Sequence, residues 1–400
     1  MRPSLNIAIL ANSQSISGGN NVLLEHAGNL VDRGHSVTMV VEGEVDRGKL
    51  SWHRRAPGLE WLSLDAVGER RFDLAIASFW RTCYQVARIP AERYVYFNQS
   101  VESRFYPEAE VLTRSYADLT YCLGLDLVTE ASWIREHIRE RYRQEAYLVP
   151  NGVSKDLFRP EGPRHAERVP GRLRLLVEGP LDVGFKNVKR SIELCRRAGA
   201  DELWLLTSTA TSSVQGVDRV FSRVPIAETP PIYRSCDAIV KLSYVEGMFG
   251  PPLEMFHCGG TAVVYDVTGH EEYIRHGENA LVAAMGDEAE VLRHIERLRG
   301  DPELLAALKA RAAETAREWI DWPASTDLLE RALEEIAAKR PSNAATVKVR
   351  SELVAALASS ASGDINARLE EAILRLPVKR FTALAKKYLT GKLRKRMKRY

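Results

Sequence analysis

The chain alternates strand-like and helix-like segments in two halves. Within residues 6–41, an apolar run, an amphipathic stretch and a second apolar run follow one another, and residues 173–206 repeat that order. Strands that alternate with helices predict a parallel sheet covered by helices. We therefore expect an α/β fold with one such sheet in each half of the chain.

The length of the chain also points to two domains, because four hundred residues exceed what one hydrophobic core usually supports. The segment 159–172, R-P-E-G-P-R-H-A-E-R-V-P-G-R, is rich in Pro, Gly and charge and indicates a linker. Two Rossmann-like domains joined in this way would face each other across a cleft. The predicted division is a first domain at 1–160, a linker at 161–172, a second domain at 173–322, a helix returning to the first domain at 323–340 and a helical basic tail at 341–400.

The segment from Glu246 to Glu254, E-G-M-F-G-P-P-L-E, places two carboxylates eight positions apart across a glycine-rich turn. A strand-like run precedes it, a helix is predicted to open at Pro251 with Glu254 in its first turn, and a strand follows at 261–265. In an open parallel sheet such a loop lies at the carboxyl ends of the strands, where ligands bind. The segment is therefore a candidate site as well as a marker of the fold.

Several residue types that suit a nucleotide sugar occur at predicted strand ends. Gly18-Gly19 and the loop from Gly247 to Gly250 precede predicted helices, whose free amides and dipole attract phosphate. Lys186, in a loop of the second half, would add a positive charge to a diphosphate. Glu246 and Glu254 can accept hydrogen bonds from sugar hydroxyls. Together these groups describe a site for a nucleotide sugar.

Each of these features also has a purely structural interpretation. A Gly-Gly pair before a helix is more often a plain turn, and a lone lysine in a loop is usually a solvated charge. A glutamate in the first turn of a helix often only complements the helix dipole. The constellation favours a ligand site because its members fall at strand ends in the expected order.

A family resemblance rests on four stretches of the sequence. The run S-Y-V-E-G-M-F-G-P-P-L-E-M-F-H-C-G-G-T-A-V-V resembles the E-x7-E segment of family 4 glycosyltransferases, glycosyl transferases group 1, which have the GT-B fold. The stretches V-T-G-H-E-E-Y-I-R-H-G-E-N-A-L-V and G-G-N-N-V-L-L-E-H-A-G-N-L-V-D-R-G-H-S-V-T are similar to other parts of that family. Y-F-N-Q-S-V-E-S-R-F-Y-P is similar to bacterial rhamnosyltransferases that build surface glycans. The resemblance covers about residues 5–335.

The resemblance implies roles for individual residues. Glu254 would hold the nucleotide ribose, Lys186 would neutralise the diphosphate, and Gly18 and Gly19 would close over it from the first domain. Lys186 and Glu246 are the candidate catalytic residues, with Glu246 gripping the donor and not acting as a proton-transfer base. The implied donor-binding set is Gly18, Gly19, Lys186, Glu246, Gly247, Met248, Phe249 and Glu254.

The chain departs from the family pattern at two places. Members commonly have an Arg directly after the glycine that ends the first strand of the second domain, whereas Pro180 follows Gly179 here. Many members carry a His in the loop where this chain has Asn98 and Gln99. Diphosphate binding would then depend more heavily on Lys186, and the sequence identifies no side-chain base in the first domain.

The function implied by the resemblance is that of a hexosyltransferase. It would move a sugar, rhamnose or another hexose, from a nucleoside diphosphate to a hydroxyl of a cell-surface glycan or lipid-linked acceptor. Retention at the anomeric carbon and no metal or other cofactor are implied, and the sequence contains no Asp-x-Asp pair. Three alternatives stay open: a sugar-nucleotide epimerase of the same fold, a non-catalytic scaffold that binds nucleotide sugars, and a membrane or nucleic-acid adaptor that acts through the basic tail.

The net charge of +3 conceals a basic end, because residues 377–400 contain ten Lys or Arg and no acid. One interpretation of this end is a solvated, partly disordered tail. Another is an amphipathic helix on an anionic membrane surface. Nucleic-acid binding is not expected, because aromatic residues are sparse among the basic ones.

The expected location is the cytoplasm. The five cysteines show no metal-ligand spacing and fit a reducing compartment. The chain passes from M-R-P-S-L directly into a predicted strand, and no apolar run approaches the length of about 18 residues that a spanning helix needs. A peripheral position on the inner face of the cell membrane is the corresponding alternative if the tail binds lipid.

Overall fold

The computed structural model of the protein describes residues 4–359. The first sheet contains strands β1 Asn6–Ala11, β2 Ser36–Val41, β3 Glu60–Ser63, β4 Phe72–Ala77, β5 Ala91–Asn98, β6 Asp126–Thr129 and β7 Ala146–Leu148. The helices between these strands are α1 Gly18–Asp32, α2 Trp80–Gln85, α3 Val111–Leu119 and α4 Ser132–Tyr142.

The second sheet contains strands β8 Arg174–Glu178, β9 Glu202–Thr207, β10 Arg219–Ser222, β11 Ala238–Lys241, β12 Thr261–Tyr265 and β13 Leu281–Ala283. Its helices are α5 Val188–Arg197, α6 Pro230–Ser235, α7 Gly250–His257, α8 Glu288–Gly300 and α9 Pro302–Glu318. Two further helices, α10 Trp322–Ala338 and α11 Ala344–Ser359, follow the second sheet.

Both sheets are parallel and have a doubly wound strand order. The first runs β3-β2-β1-β4-β5-β6-β7 and the second runs β10-β9-β8-β11-β12-β13. In each sheet the chain starts near the middle, builds outward to one edge and then returns to build the other half. The strand order reverses beside β1 and beside β8, and ligands bind outside the carboxyl ends of the strands at such points. The expectation of an α/β fold with two parallel sheets is confirmed.

The strands are held by apolar side chains that helices cover on both faces. In the first sheet, Ile9 and Met39 lie in register on neighbouring strands, and both belong to one buried cluster with Leu30 of α1. The second sheet has an equivalent cluster in which Val240 of β11 and Val263 of β12 pack with Ile192 of α5. These clusters fix the two sheet edges from which the site is built.

The chain crosses back to the first domain after α9. Trp322, Leu329, Leu333 and Ile336 of α10 are buried in the cluster that contains Leu30. The side chain of Arg33 also donates to the Glu330 carboxylate at 2.8 Å. Helix α10 therefore packs on the first domain although it follows the second domain in sequence.

Helix α11 also packs on the first domain, where Val347 and Val354 are buried. Just before it, the Asn343 side chain exchanges two 2.8 Å hydrogen bonds with the backbone of Tyr94, as a neighbouring strand would. The predicted helical tail at 341–400 is thus described as far as Ser359. The basic segment 377–400 lies outside the described residues. Among the residues that are described, no helix is long and apolar enough to cross a membrane.

Two local predictions are wrong. Gly18 and Gly19 do not form a turn before a helix but are the first residues of α1, because the Ser17 side chain caps this helix by accepting from the amide of Asn20. Glu254 does not lie in the first turn of α7. The helix already begins at Gly250, since prolines are tolerated in a first turn whose amides have no helical partner, and Glu254 falls in its second turn.

Candidate functional site

The Glu246–Glu254 segment joins β11 to α7 at the carboxyl edge of the second sheet. Strand β11 pairs in parallel with β8, and Val240 lies beside Val177. The next residues of the two strands, Lys241 and Glu178, therefore end at the same edge. Because α5 follows β8 after a short connection, Lys186 returns to this edge as well.

Four charged side chains meet at this edge, and we call them the charge cluster: Glu178, Lys186, Lys241 and Glu246. The Lys186 ammonium lies 2.8 Å from Glu246 Oε2, and the Lys241 ammonium lies 3.8 Å from Glu246 Oε1. Lys241 also lies 2.6 Å from Glu178 Oε2. The cluster contains two cations and two anions, so its formal charge is zero in this arrangement.

Burial and ion pairing oppose each other in the charge cluster. Burial alone would raise the pKa of Glu246, but Lys186 and Lys241 outweigh it and hold that pKa below its usual value. Burial would also lower the pKa of Lys241, but Glu178 and Glu246 raise that pKa instead. Glu246 is therefore ionised at neutral pH, where it can accept hydrogen bonds from hydroxyl groups and is a poor proton-transfer base.

Glu254 lies apart from these ion pairs and behaves differently. Burial raises its pKa to about 7, the nearby charge of Glu178 acts in the same direction, and the Tyr233 hydroxyl and Lys241 only partly oppose the rise. The Glu254 side chain is therefore divided between its neutral and ionised forms near neutral pH. Its ability to accept two hydrogen bonds from a diol depends on the pH.

The amide of Met248, predicted to bind the donor, contacts the first domain. It donates to Oε1 of Glu130 at 2.9 Å, and the other carboxylate oxygen of Glu130 accepts from the Asn151 side chain at 2.9 Å. Glu130 follows β6 directly and is buried, and burial raises its pKa to about 7. A ligand that uses the Met248 amide must therefore displace this carboxylate.

Gly247 lies where the two domains approach each other most tightly in this loop. A Cβ atom on Gly247 would lie 1.8 Å from the carbonyl oxygen of Gln99, which belongs to the first domain. On its other side, a Cβ atom on Gly269 would lie 2.0 Å from the carbonyl oxygen of Gly247. No side chain fits at Gly247 unless the backbone moves, so a glycine at this position permits the close contact between the two domains.

Further contacts hold the two domains against each other around this loop. Trp133 Nε1 donates to the carbonyl oxygen of Gly247 at 2.9 Å. The amide of Ser132, at the start of α4, donates to Glu272 of the second domain at 2.7 Å. The rings of Phe105 and Phe185 stack with their centroids 5.0 Å apart. The described arrangement is therefore one in which the cleft is closed around the Glu246–Phe249 loop.

The remaining predicted donor residues are placed as follows. Gly19 lies near Gln99, since a Cβ atom on Gly19 would be 3.2 Å from Gln99 Oε1. Gln99 thus touches both Gly19 and Gly247, and it links the glycine pair to the opposite domain. Phe249 is fully buried, and its carbonyl oxygen accepts from the Tyr273 hydroxyl, which fixes the end of the loop.

Asn98, which stands with Gln99 where many family members have a histidine, is structural. Its side chain is buried and donates to the carbonyl oxygen of Ser100 at 2.8 Å. The backbone carbonyl oxygen of Asn98 accepts from the Thr129 hydroxyl at 2.9 Å. Two buried carboxylates lie nearby in the first domain. One is Glu130, and the other is Glu102, whose pKa burial raises to about 8.

The sequence pattern singled out Lys186 and Glu246 but not the other two members of the charge cluster. Lys241 ends a strand whose other residues are apolar, and a charge at the end of a buried strand is a usable signal. Glu178 precedes Gly179 in the same position on β8. Glu130 gave no comparable signal, because its importance comes from a contact with the other domain.

Comparisons with known proteins agree with this geometry. Residues 213–316 match the family described as glycosyl transferases group 1, and this range contains both Glu246 and Glu254. The chain is 28% identical to the O-antigen biosynthesis protein RfbC of Myxococcus xanthus over 273 residues, which is 65% of this chain and 20% of that protein. The chain thus spans about a fifth of the length of this relative.

Solved structures share the fold. Anabaena Alr3699/HepE in complex with UDP and glucose aligns with a TM-score of 0.66 and 15% identity, over 83% of this chain and 100% of that one. Sucrose-phosphate synthase from Thermosynechococcus elongatus aligns with a TM-score of 0.64 and 16% identity, over 84% of this chain and 99% of that one. The resemblance to group 1 glycosyltransferases is confirmed for the second domain, and the two-domain fold is that of GT-B.

Proposed function

We propose that this chain transfers a sugar from a nucleoside diphosphate to a hydroxyl group during the synthesis of a surface polysaccharide. The observation that carries the proposal is the charge cluster at the carboxyl edge of β8 and β11, next to a group 1 motif. It brings Lys186 and Glu246 within 2.8 Å of each other at the point where a parallel sheet binds ligands. The O-antigen relative supports the polysaccharide assignment.

Donor binding would exchange partners within the charge cluster. Lys186 has a flexible stem and is about a quarter exposed, whereas Lys241 is 2% exposed. A diphosphate arriving at the edge can draw Lys186 away from Glu246, and Lys241 stays to keep Glu246 ionised. Lys186 then neutralises the charge that develops on the leaving diphosphate, which is a form of electrostatic catalysis.

The two glutamates would hold different parts of the donor. Glu246, kept ionised by its lysines, accepts hydrogen bonds from hydroxyls of the donor sugar. Glu254 accepts from the ribose diol, for which its ionised form is needed. The Met248 amide joins the donor contacts once Glu130 has been displaced from it.

The proposed reaction retains the anomeric configuration. It needs no metal, since Lys186 and the amides of the Gly247–Phe249 loop supply the positive potential. Closure of the cleft around this loop would exclude water and limit hydrolysis of the donor. Turnover that is unchanged by a chelator, and a product with the anomeric configuration of the donor, are the expected results. Loss of turnover with the chelator, or an inverted product, would contradict these two parts of the proposal.

The first experiment is a thermal-shift screen across dTDP-, UDP- and GDP-sugars, because a ligand that binds the folded state raises its melting temperature. We expect one class of sugar nucleotide to stabilise the protein and to be consumed only when an acceptor is present. Conversion of the donor without acceptor into an isomeric sugar nucleotide would indicate the epimerase. Binding without consumption under any acceptor would indicate a scaffold.

A further inference from the structure

A cavity of about 290 Å³ lies in the first domain, between the segment after β5 and helices α3 and α4. Three arginines line it, Arg104, Arg114 and Arg141, together with His137. The acidic residues in its lining are Asp118 and Glu108. Its volume is close to the lower end of the range for small-molecule pockets. The proposed donor site uses none of these residues.

The arginines of this cavity have different kinds of partner. Arg141 lies 3.8 Å from Asp118, and Arg114 donates to the carbonyl oxygen of Tyr106 at 2.7 Å. The Arg104 guanidinium lies over the ring of Trp133, 5.1 Å from its centroid. Glu108 is on the exposed rim. Clustered guanidinium groups repel one another, so an anion that enters the cavity gains from all three.

The cavity is also lined by His137, which has a buried ring nitrogen. Nε2 of His137 is inaccessible to solvent and has no hydrogen-bond partner among the described residues. Burial lowers the pKa of His137, and Arg104 and Arg141 lower it further. Burial also lowers the pKa of Arg104, and Arg114 and Arg141 act in the same direction. Both effects show that positive charge is concentrated among these side chains.

Two sets of contacts connect the surroundings of the cavity with the proposed donor loop. Trp133 carries Arg104 on its face and donates through Nε1 to the carbonyl oxygen of Gly247. Val101 lines the cavity, and the preceding Ser100 donates to the carbonyl oxygen of Glu246 at 3.4 Å. A molecule held in the cavity would therefore lie in the first domain, near residues that contact the donor loop.

The rim of the cavity also offers apolar surface. Val111 and Leu112, at the start of α3, are 41% and 51% exposed, and Val111 lines the cavity itself. Large apolar side chains exposed beside a cationic pocket suit a ligand with an anionic group and an apolar part.

We propose that this cavity binds the phosphate or diphosphate group of the sugar acceptor, with Arg104, Arg114 and Arg141 as its ligands. Guanidinium groups are suited to this role, because their planar forks match phosphate oxygens. The proposal rests on the proposed glycosyltransferase function and specifies its acceptor. The phosphate can belong to a lipid carrier or to a free phosphorylated sugar, and the two sources share this recognition.

The experiment titrates farnesyl diphosphate, inorganic pyrophosphate and farnesol into the full chain, with the nucleoside diphosphate selected by the donor screen (UDP, dTDP or GDP) present to fill the donor site. The test variant is Arg141→Gln, and the matched control is Arg135→Gln, an exposed arginine on the same helix that does not line the cavity. Ser115→Glu, which places a negative charge in the lining, is a second test variant. Thermal unfolding of each variant checks that it folds.

We expect the wild type and Arg135→Gln to bind a diphosphate equally, and Arg141→Gln to bind it about tenfold more weakly, as for the loss of a charged hydrogen bond. Ser115→Glu should weaken diphosphate binding at least as much as Arg141→Gln does. Farnesyl diphosphate that binds more tightly than pyrophosphate would assign a lipid-linked acceptor, and equal binding would assign a free phosphorylated one. Equal affinities in all variants, or binding of farnesol but of neither diphosphate, would overturn the proposal.

The design separates this proposal from the donor assignment. Binding of UDP, dTDP and GDP is measured first, each by itself, and failure of all three would contradict the glycosyltransferase. The comparison of Arg141→Gln with Arg135→Gln does not need UDP. A cavity that binds diphosphate in a chain that binds no nucleotide would therefore leave the anion site standing without the proposed function.

Discussion

Lys241 is the least exposed charged group of the site, and its charge is balanced by two carboxylates. It lies 2.6 Å from Glu178 and 3.8 Å from Glu246. A buried ion pair adds little stability compared with apolar residues of similar shape, but removal of one partner leaves the other charge buried without compensation. Lys241 therefore helps, together with Lys186, to keep the buried Glu246 carboxylate ionised.

Replacement of Lys241 by Met tests that role. We expect the free energy of unfolding to fall by about 3 kcal/mol, because Glu178 loses its cation and Glu246 loses one of two. Urea denaturation at neutral pH measures the change. The control is Lys189→Met, an exposed lysine on α5. Equal unfolding free energies for the two variants would contradict the structural account of the charge cluster.

Glu254 gives a prediction about pH. Its pKa is raised to about 7, so its ionised form is lost as the pH falls through that value. Because a ribose diol donates to the carboxylate, donor affinity should weaken by about tenfold between about pH 8 and about pH 6. The measurement is calorimetric titration with the sugar nucleotide chosen by the thermal-shift screen.

The Glu254→Gln variant serves as the reference for this pH dependence. It cannot ionise, so its donor affinity should be weak and nearly constant over the same range. A wild-type affinity that stays constant, or a variant that shows the full pH dependence, would indicate that another group is responsible.

At the scale of the elements, the connection between β11 and α7 is a part of the second domain that packs directly against the first domain. Its conformation is fixed by Gly247 against the Gln99 backbone and by Phe249 against Tyr273. The same few residues therefore form the donor loop and the contact between domains. Closure of the cleft and assembly of the donor site are one event in this arrangement.

Gly247→Ala tests this coupling, with Gly250→Ala as the matched control in the same loop. A Cβ atom at 247 would lie 1.8 Å from the Gln99 carbonyl oxygen, whereas a Cβ atom at 250 would meet nothing within 4 Å. We expect turnover to fall by at least about tenfold in Gly247→Ala, since the cleft cannot close, and to be unchanged in Gly250→Ala. Small-angle scattering should show a larger radius of gyration for Gly247→Ala only. Equal behaviour of the two variants would contradict the coupling.

Local sequence patterns predicted most of these elements. The strand at 261–265 and the second apolar run within residues 6–41 form strands as predicted, and the loop between β11 and α7 lies at the carboxyl edge of a parallel sheet, as expected. The pattern could not show that Lys241 and Glu178 meet, because their proximity depends on β8 pairing with β11 across sixty residues of chain. Glu130 and the arginine-lined cavity were missed for the same reason. They are created by packing between segments that are distant in sequence.

At the scale of the whole molecule, two helices tie the end of the described chain to the first domain. Helix α10 packs beside α1, and α11 packs over the sheet face that contains Tyr94 and Leu127. The last described helix therefore lies on the first domain, and the basic segment 377–400 is outside the described residues. The proposed acceptor cavity belongs to that same domain.

Deletion of residues 377–400 tests whether this segment binds membranes. Ten basic residues without an acid should attract anionic lipid, each by about 1 kcal/mol near the surface. We expect the full chain to sediment with vesicles of phosphatidylserine and phosphatidylcholine at low salt, and the shortened chain to remain in the supernatant. Vesicles of phosphatidylcholine alone are the control. Equal sedimentation of the two chains would exclude the segment as the membrane contact.

The central claim is that Lys186 leaves Glu246 to neutralise the diphosphate of a sugar donor. The most direct measurement compares turnover and donor affinity in Lys186→Ala and in Lys189→Ala, a control on the adjacent helix. The account predicts that Lys186→Ala loses about a hundredfold or more in turnover and much less in donor affinity, while Lys189→Ala resembles the wild type. A Lys186→Ala enzyme with the turnover of Lys189→Ala would contradict it.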